Sequence, residues 1–153
     1  MKLHKLETIQ TLPCTLNRAW EFFADAKNLS RITPPSLGMT ITSELPERMY
    51  AGMIVTYRLS PLLGVPMTWV TEITHVDEPH RFVDEQRFGP YRFWHHEHHF
   101  RAVEGGVEML DRVHYALPPG GGPLRKLLVT PRLEAIFSHR RQVLEEIFGT
   151  WKG

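Results

Sequence analysis

The chain predicts an α+β fold in which a curved antiparallel sheet of about seven strands wraps around a long C-terminal helix. Three observations predict it. Between Gly38 and Leu117 short runs rich in Thr, Val, Ile and aromatic residues are separated by Pro and Gly turn signals. From Pro131 to Phe148 the apolar residues switch to helical spacing, with Leu133, Ile136, Phe137, Val143, Leu144, Ile147 and Phe148 on one stripe. Two short helical patterns, at 15–23 and 29–32, fall between the first strand and the rest.

Bulk properties narrow the class. The 153 residues, 42% hydrophobic, fit one domain, 1–153, with a core large enough to fold without staples. The one cysteine, Cys14, rules out a disulfide framework. With no charged-then-apolar leader after Met1, it predicts a cytoplasmic protein. The most apolar region, Leu59 to Val70, is broken by Pro61, Gly64 and Pro66, so no membrane span is expected. A formal charge of +1, with Lys and Arg scattered along the chain, gives no general basis for binding nucleic acid.

In chain order, Leu3 to Leu12 reads as a strand that Pro13 ends. Thr15 or Asn17 can cap a helix that places Leu16, Trp20 and Phe23 on one face. Leu29 and Ile32 form a further helical turn, stopped by Pro34-Pro35. Six strands follow, near Met39 to Leu45, Gly52 to Leu59, Pro66 to Val76, Arg81 to Phe88, Tyr91 to Val103 and Val107 to Leu117. The loop Pro118 to Pro123 leads to the terminal helix, about 27 Å long from 131 to 148. Leu124 to Val129 adds at most a helical turn, with a kink or break at Pro131. Arg140 alone interrupts the apolar stripe; with Arg125, Lys126, Arg132 and Arg141 it is expected on the solvated side.

The densest chemistry is Phe93-Trp94-His95-His96-Glu97-His98-His99-Phe100, which holds four of the nine histidines. Strand alternation puts Trp94, His96, His98 and Phe100 on one face and Phe93, His95, Glu97 and His99 on the other. A two-residue Gly105-Gly106 turn would pair Phe100 with Asp111, His98 with Val113, His96 with Tyr115 and Trp94 with Leu117, making the first face the inner one. On the preceding strand either Phe82, Asp84 and Gln86 or Val83, Glu85 and Arg87 share that face; the first set keeps Phe82 and Phe88 from solvent. A curved sheet carrying Trp69, Trp94, His96, His98 and Tyr115 inward, closed by one helix, leaves a concavity of the kind that takes small molecules. Tyr57 joins this set by alternation alone.

The order of elements resembles the START-like helix-grip fold of the SRPBCC superfamily over nearly the whole chain. More narrowly, Phe82-x-Asp84-x-Gln86, Gly89-Pro90-Tyr91, Trp94-x-His96-x-His98-x-Phe100 and Met109-x-Asp111-x-Val113-x-Tyr115-x-x-Pro118 resemble the motifs of a bacterial subfamily often labelled cell-division-inhibitor-like. The resemblance implies a cavity for a small hydrophobic or aromatic molecule. By analogy alone it also implies association with an epimerase-like protein. The fold hosts carriers, receptors and polyketide cyclases alike, so it assigns no reaction.

The expected ligand-binding set is therefore Tyr57, Trp69, Asp84, Gln86, Trp94, His96, His98, Asp111 and Tyr115. An alternative is an enzyme, a cyclase, dehydratase or hydrolase, in which His96 or His98 with Asp84 or Asp111 serves as an oriented acid or base. A second alternative is an interaction module with a vestigial cavity, acting through Arg125, Lys126 and Arg132. His96 and His98 with Asp84 or Asp111 have the donor types for zinc, but sequence does not fix a complete ligand set, so neither metal nor cofactor is expected. Cys14 precedes a helix, where a thiol can be mildly activated, but a small buried residue is the preferred reading.

Overall fold

The computed structural model describes residues 1–62, 64–120 and 122–153, and among these the side chains of all but 62, 122 and 124–126. Strand β1 (His4–Leu12) leads into helix α1 (Leu16–Ala24), capped by Thr15, whose Oγ1 accepts from the Arg18 amide at 3.2 Å. Helix α2 (Lys27–Arg31) and a 3-10 turn at Pro35–Leu37 follow. Six strands then run in sequence: β2 (Thr40–Ile41), β3 (Ile54–Leu62), β4 (Val65–Asp77), β5 (Arg81–Phe88), β6 (Phe93–Val103) and β7 (Gly106–Ala116). Helix α3 (Gly122–Phe148) completes the order. All seven strands form one antiparallel sheet, β1-β7-β6-β5-β4-β3-β2, so β1 closes against the last strand of the meander.

Register shifts at two points between β4 and β5, and again between Leu59 and Leu62 of β3, insert extra residues that bend a sheet. The apolar core falls into two clusters on the inner face. One gathers Trp20, Phe82, Phe100, Met109 and Leu144, and there α1 lays Trp20 edge-on against Phe82 and Phe100, each at 5.8 Å between ring centres. The other gathers Trp94, Val113, Tyr115 and Leu133. The inward histidines of β6 lie between the two.

Three expectations change here. The strand expected over Met39 to Leu45 pairs only at Thr40 and Ile41; beyond them Thr42 bonds to the Thr56 carbonyl and the Ser43 side chain takes the place of backbone in accepting from the Thr56 amide. The terminal helix begins at Gly122 and continues through Pro131 for 27 residues, about 40 Å. Proline removes the donor for the Leu127 carbonyl, but Leu127 is exposed and water can take that place.

The third change is the β6–β7 register. The turn is Glu104-Gly105, with Val103 opposite Gly106, and every pairing moves by two residues: Phe100 faces Met109, His98 faces Asp111, His96 faces Val113 and Trp94 faces Tyr115. On the outer face Glu97 meets Arg112 and Arg101 meets Glu108. Gly106 is held in the strand because a Cβ there would come 2.2 Å from the Leu12 carbonyl oxygen, while Gly105 supplies the turn with φ +74°. A shift of two keeps the inner and outer faces as expected, since side chains alternate with period two.

Candidate functional site

Asp84, opposite His96 on β5, and Asp111, opposite His98 on β7, flank the two inward histidines. Of the two alternatives for β5, therefore, Phe82 and Asp84 face inward. His98 Nε2 lies 2.6 Å from Asp84 Oδ2, and His96 Nε2 lies 2.8 Å from Asp111 Oδ1. Across these contacts, His96 Nδ1 is 3.6 Å from Asp84 Oδ2 and His98 Nδ1 is 3.0 Å from Asp111 Oδ1. The imidazoles are in contact, 3.7 Å between ring centres, and Phe82 stacks on His98 at 4.0 Å. Arg140 reaches in from α3, with Nη2 3.4 Å from Asp111 Oδ1 and its guanidinium over Phe23 and Phe137 at 5.1 and 5.7 Å.

His96, His98, Asp111 and Arg140 are all buried, at 6, 6, 8 and 7% exposure, so their charges must balance locally. Burial opposes the charge on Asp111, but Arg140, the hydrogen bond from His96 and the nearby His98 ring overcome it and hold the carboxyl well below its usual range. Burial likewise opposes ionisation of Asp84, and the His96 and His98 rings hold it low. The two imidazoles split. Burial and the neighbouring His98 push His96 down, while His98, though equally penalised by burial, is raised by its contacts with Asp111 and Asp84. With His98 cationic and His96 neutral, two carboxylates face one imidazolium and one guanidinium, and the cluster is electrically neutral. Neutral His96 donates from Nε2 to Asp111, so its Nδ1 keeps a lone pair.

Between this wall, α1, α2 and α3 lies a cavity of about 690 Å³. Asp84, His96 and His98 border it, as do Tyr57, Trp69 and Trp94. Its remaining walls are mostly apolar: Phe22, Phe23, Leu29 and Ile32 from α1 and α2 and the turn after them, Val55, Leu59 and Ile73 from the sheet, and Leu133, Ile136 and Phe137 from α3. Four of the six methionines, Met39, Met49, Met53 and Met67, also border it. The Tyr57 hydroxyl is pushed up by burial and by the nearby Asp84 charge, so it stays a neutral donor.

Three residues of the sequence-derived set do not border this cavity. Gln86 uses both ends of its amide on the turn before β6: Oε1 accepts from the Tyr91 amide at 3.1 Å and Nε2 donates to the Tyr91 carbonyl at 2.7 Å. Tyr115 packs against Tyr91 and His4, and its hydroxyl lies 3.4 Å from Thr130 Oγ1. Asp111 backs the histidines and borders instead a small cleft of about 170 Å³ between β1 and α3. Arg140 is not on the solvated side of α3; its interruption of the apolar stripe was the signal of a buried cation with a partner on the sheet. Arg132 and Arg141 are exposed and bond to the Pro61 and Ile9 carbonyls, and the side chains of Arg125 and Lys126 lie outside the described residues. Burial raises the Cys14 thiol, the reverse of activation.

No family model matches the chain, and no curated protein matches it. Solved structures do match. Protein Ms6760 from Mycobacterium smegmatis has a TM-score of 0.67 and 22% identity, covering 94% of this chain and 89% of that one. Ginseng major latex-like protein 151 from Panax ginseng has a TM-score of 0.70 and 14% identity, covering 95% and 97%. Ara h 8.0201 has a TM-score of 0.62 and 16% identity, covering 95% and 99%. The last two are Bet v1-like proteins. Among the described residues no helix is long and apolar enough to cross a membrane. At these identities the likeness is one of fold: a curved seven-stranded antiparallel sheet, short helices and a long C-terminal helix make this the α+β helix-grip fold.

Proposed function

We propose that this protein binds a small, largely hydrophobic or aromatic ligand in the cavity between the sheet and α3. The observation that carries the reading is the cavity itself: about 690 Å³, walled by aromatic, aliphatic and methionine side chains, with its acid-histidine cluster on one wall. Such walls hold an apolar body, and Tyr57, Asp84, His96 and His98 orient a polar group on it. Methionine adapts its shape at small cost, which suits a ligand that does not match the cavity contour closely. The affiliation with the bacterial subfamily labelled cell-division-inhibitor-like is supported by the motif residues from Phe82 to Pro118, and a cytoplasmic location by the lone thiol. The test is native mass spectrometry of freshly purified protein, then solvent extraction of whatever co-purifies. A retained apolar compound, displaced in Leu29→Trp where the new indole fills the space, is the expected result. Equal retention by Leu29→Trp would sink the cavity reading.

The enzyme reading is favoured by one feature, the His96 and His98 pair flanked by carboxylates and bordering the cavity. A neutral imidazole beside a cationic one is an arrangement that can accept and deliver a proton. His96→Ala and His98→Ala, assayed for both affinity and turnover, separate the two: a binding protein loses affinity, and an enzyme loses rate at saturating substrate.

A further inference from the structure

Asp84, His96 and His98 each offer a ligand-type atom, and all three atoms lie within 4.8 Å of one another. We propose that these residues form a two-histidine, one-carboxylate site for a divalent first-row transition-metal ion on the cavity wall, with Asp111 and Arg140 as its supporting layer. The site goes beyond ligand binding and does not depend on what else the cavity holds.

The distances suit coordination. Bonds of about 2.0–2.2 Å in a tetrahedral site put neighbouring donors about 3.4 Å apart. His96 Nδ1 and Asp84 Oδ2, at 3.6 Å, are close to that already. His98 Nε2 and Asp84 Oδ2, at 2.6 Å, must open by about 0.8 Å when a cation comes between them.

The second reason is what stands behind the rings. A metal-ligating histidine gives its other nitrogen to a carboxylate or carbonyl that fixes the tautomer and the ring. Here a single oxygen, Asp111 Oδ1, serves both rings, 2.8 Å from His96 Nε2 and 3.0 Å from His98 Nδ1, and Arg140 steadies that carboxylate from the far side. His96, with its proton toward Asp111, leaves an Nδ1 lone pair directed at Asp84, and His98 Nε2 offers another once the proton it shares with Asp84 gives way to the cation. His98 Nδ1 is buried and, among the described residues, has no hydrogen bond, so its contact with Asp111 is out of line while Nε2 holds Asp84. That bond remains to be gained when the ring takes up a cation.

The third reason is access. Asp84, His96 and His98 border the cavity and Asp111 does not, so the remaining coordination positions face the cavity, where water or an oxygen of a ligand can occupy them. Two imidazoles with one carboxylate suit zinc, cobalt or iron better than calcium or magnesium, which prefer oxygen throughout.

The test uses tag-free full-length protein, stripped with a chelator and titrated with Co²⁺ and with Zn²⁺, read by calorimetry and by the visible absorption of cobalt. The expected result is one ion per chain and a cobalt spectrum of low coordination number. Asp84→Asn should weaken binding more than about 100-fold and Asp111→Asn about 10- to 100-fold. The outer-face double variant His95→Gln/His99→Gln should bind as the parent does. The proposal is overturned if the unsubstituted protein takes up no stoichiometric ion. It is equally overturned if uptake survives in Asp84→Asn and disappears in the outer-face variant. Near-UV circular dichroism establishes that each variant is folded, and the titration of the unsubstituted protein decides the matter even where a variant is not.

Discussion

Strand β6 carries two pairs of histidines, and both pairs meet carboxylates. On the outer face His95 lies 3.1 Å from Glu85 and His99 2.7 Å from Glu97, with Arg112, Arg87 and Glu72 extending the network across a half-exposed surface. On the inner face His96 and His98 meet Asp84 and Asp111 at similar distances, but buried and with one cation, Arg140, brought from another element. The contact lengths hardly differ; the surroundings do. Water and salt screen the outer pairs, so each is worth little and acts nearly alone. Inside, no group can change charge without the others responding, and five residues act as one unit.

The largest effect expected from this contrast is at Asp111. Asp111→Asn leaves Arg140 and His98 without their shared carboxylate and should cost roughly 3–5 kcal/mol, read from the urea midpoint. Adding Arg140→Met should restore part of the loss, with a coupling above about 1 kcal/mol in the double-mutant cycle. Simple additivity would mean that the buried groups are as independent as the surface ones.

A second test uses pH on metal-free protein. Asp84 and Asp111 are held low, so they stabilise above the usual carboxylate range and lose that contribution as pH falls through their depressed values. His96 is lowered from 6.5, so its contribution is present above 6.5 and fades on acidification. His98 is raised, so its contribution is full below 6.5 and is lost as pH rises through the raised value. Melting temperature should therefore fall as pH rises from 6.5 through that raised value. His98→Gln should flatten that limb, and an unchanged limb would show that His98 does not hold the extra proton.

A smaller loss is expected where an inward-parity side chain is neutral. Gln86→Ala removes two hydrogen bonds to Tyr91 and should cost about 1–3 kcal/mol by denaturant unfolding, with no change in the pH profile. Least of all, His95→Gln with His99→Gln should change stability by no more than about 0.5 kcal/mol. A larger change would erase the distinction between the two faces.

Much of this was legible in the chain. Period-two alternation separated Trp94, His96, His98 and Phe100 from their neighbours, and the turn at 104–105 preserved that division even though it shifted the pairing. Keeping Phe82 and Phe88 from solvent selected Asp84 for the inner face; Phe82 is buried as expected, but Phe88 is 64% exposed, beyond the register shift at the end of β5. The site's neighbours were less visible, because they depend on contacts far apart in sequence. Gly106 looked like half of a turn until the Leu12 carbonyl, from the far end of the chain, was seen above it. Arg140 looked like one of several surface arginines, and only its place in the apolar stripe set it apart. The contribution of α1 and α2 to the cavity had no local signature, since Phe22, Phe23 and Leu29 read the same whether they fill a core or line a void.

The sequence by itself determined the elements, their order and the alternation of faces along β6 and β7, because helical and strand periodicities are local properties of the backbone. Only the tertiary structure decided that Asp111 stands between two imidazoles, that Arg140 balances it and that the wall facing α3 is left unfilled. Those outcomes depend on register and on the packing of α3 across the sheet, where a shift of two residues leaves every face unchanged and still replaces the groups that meet.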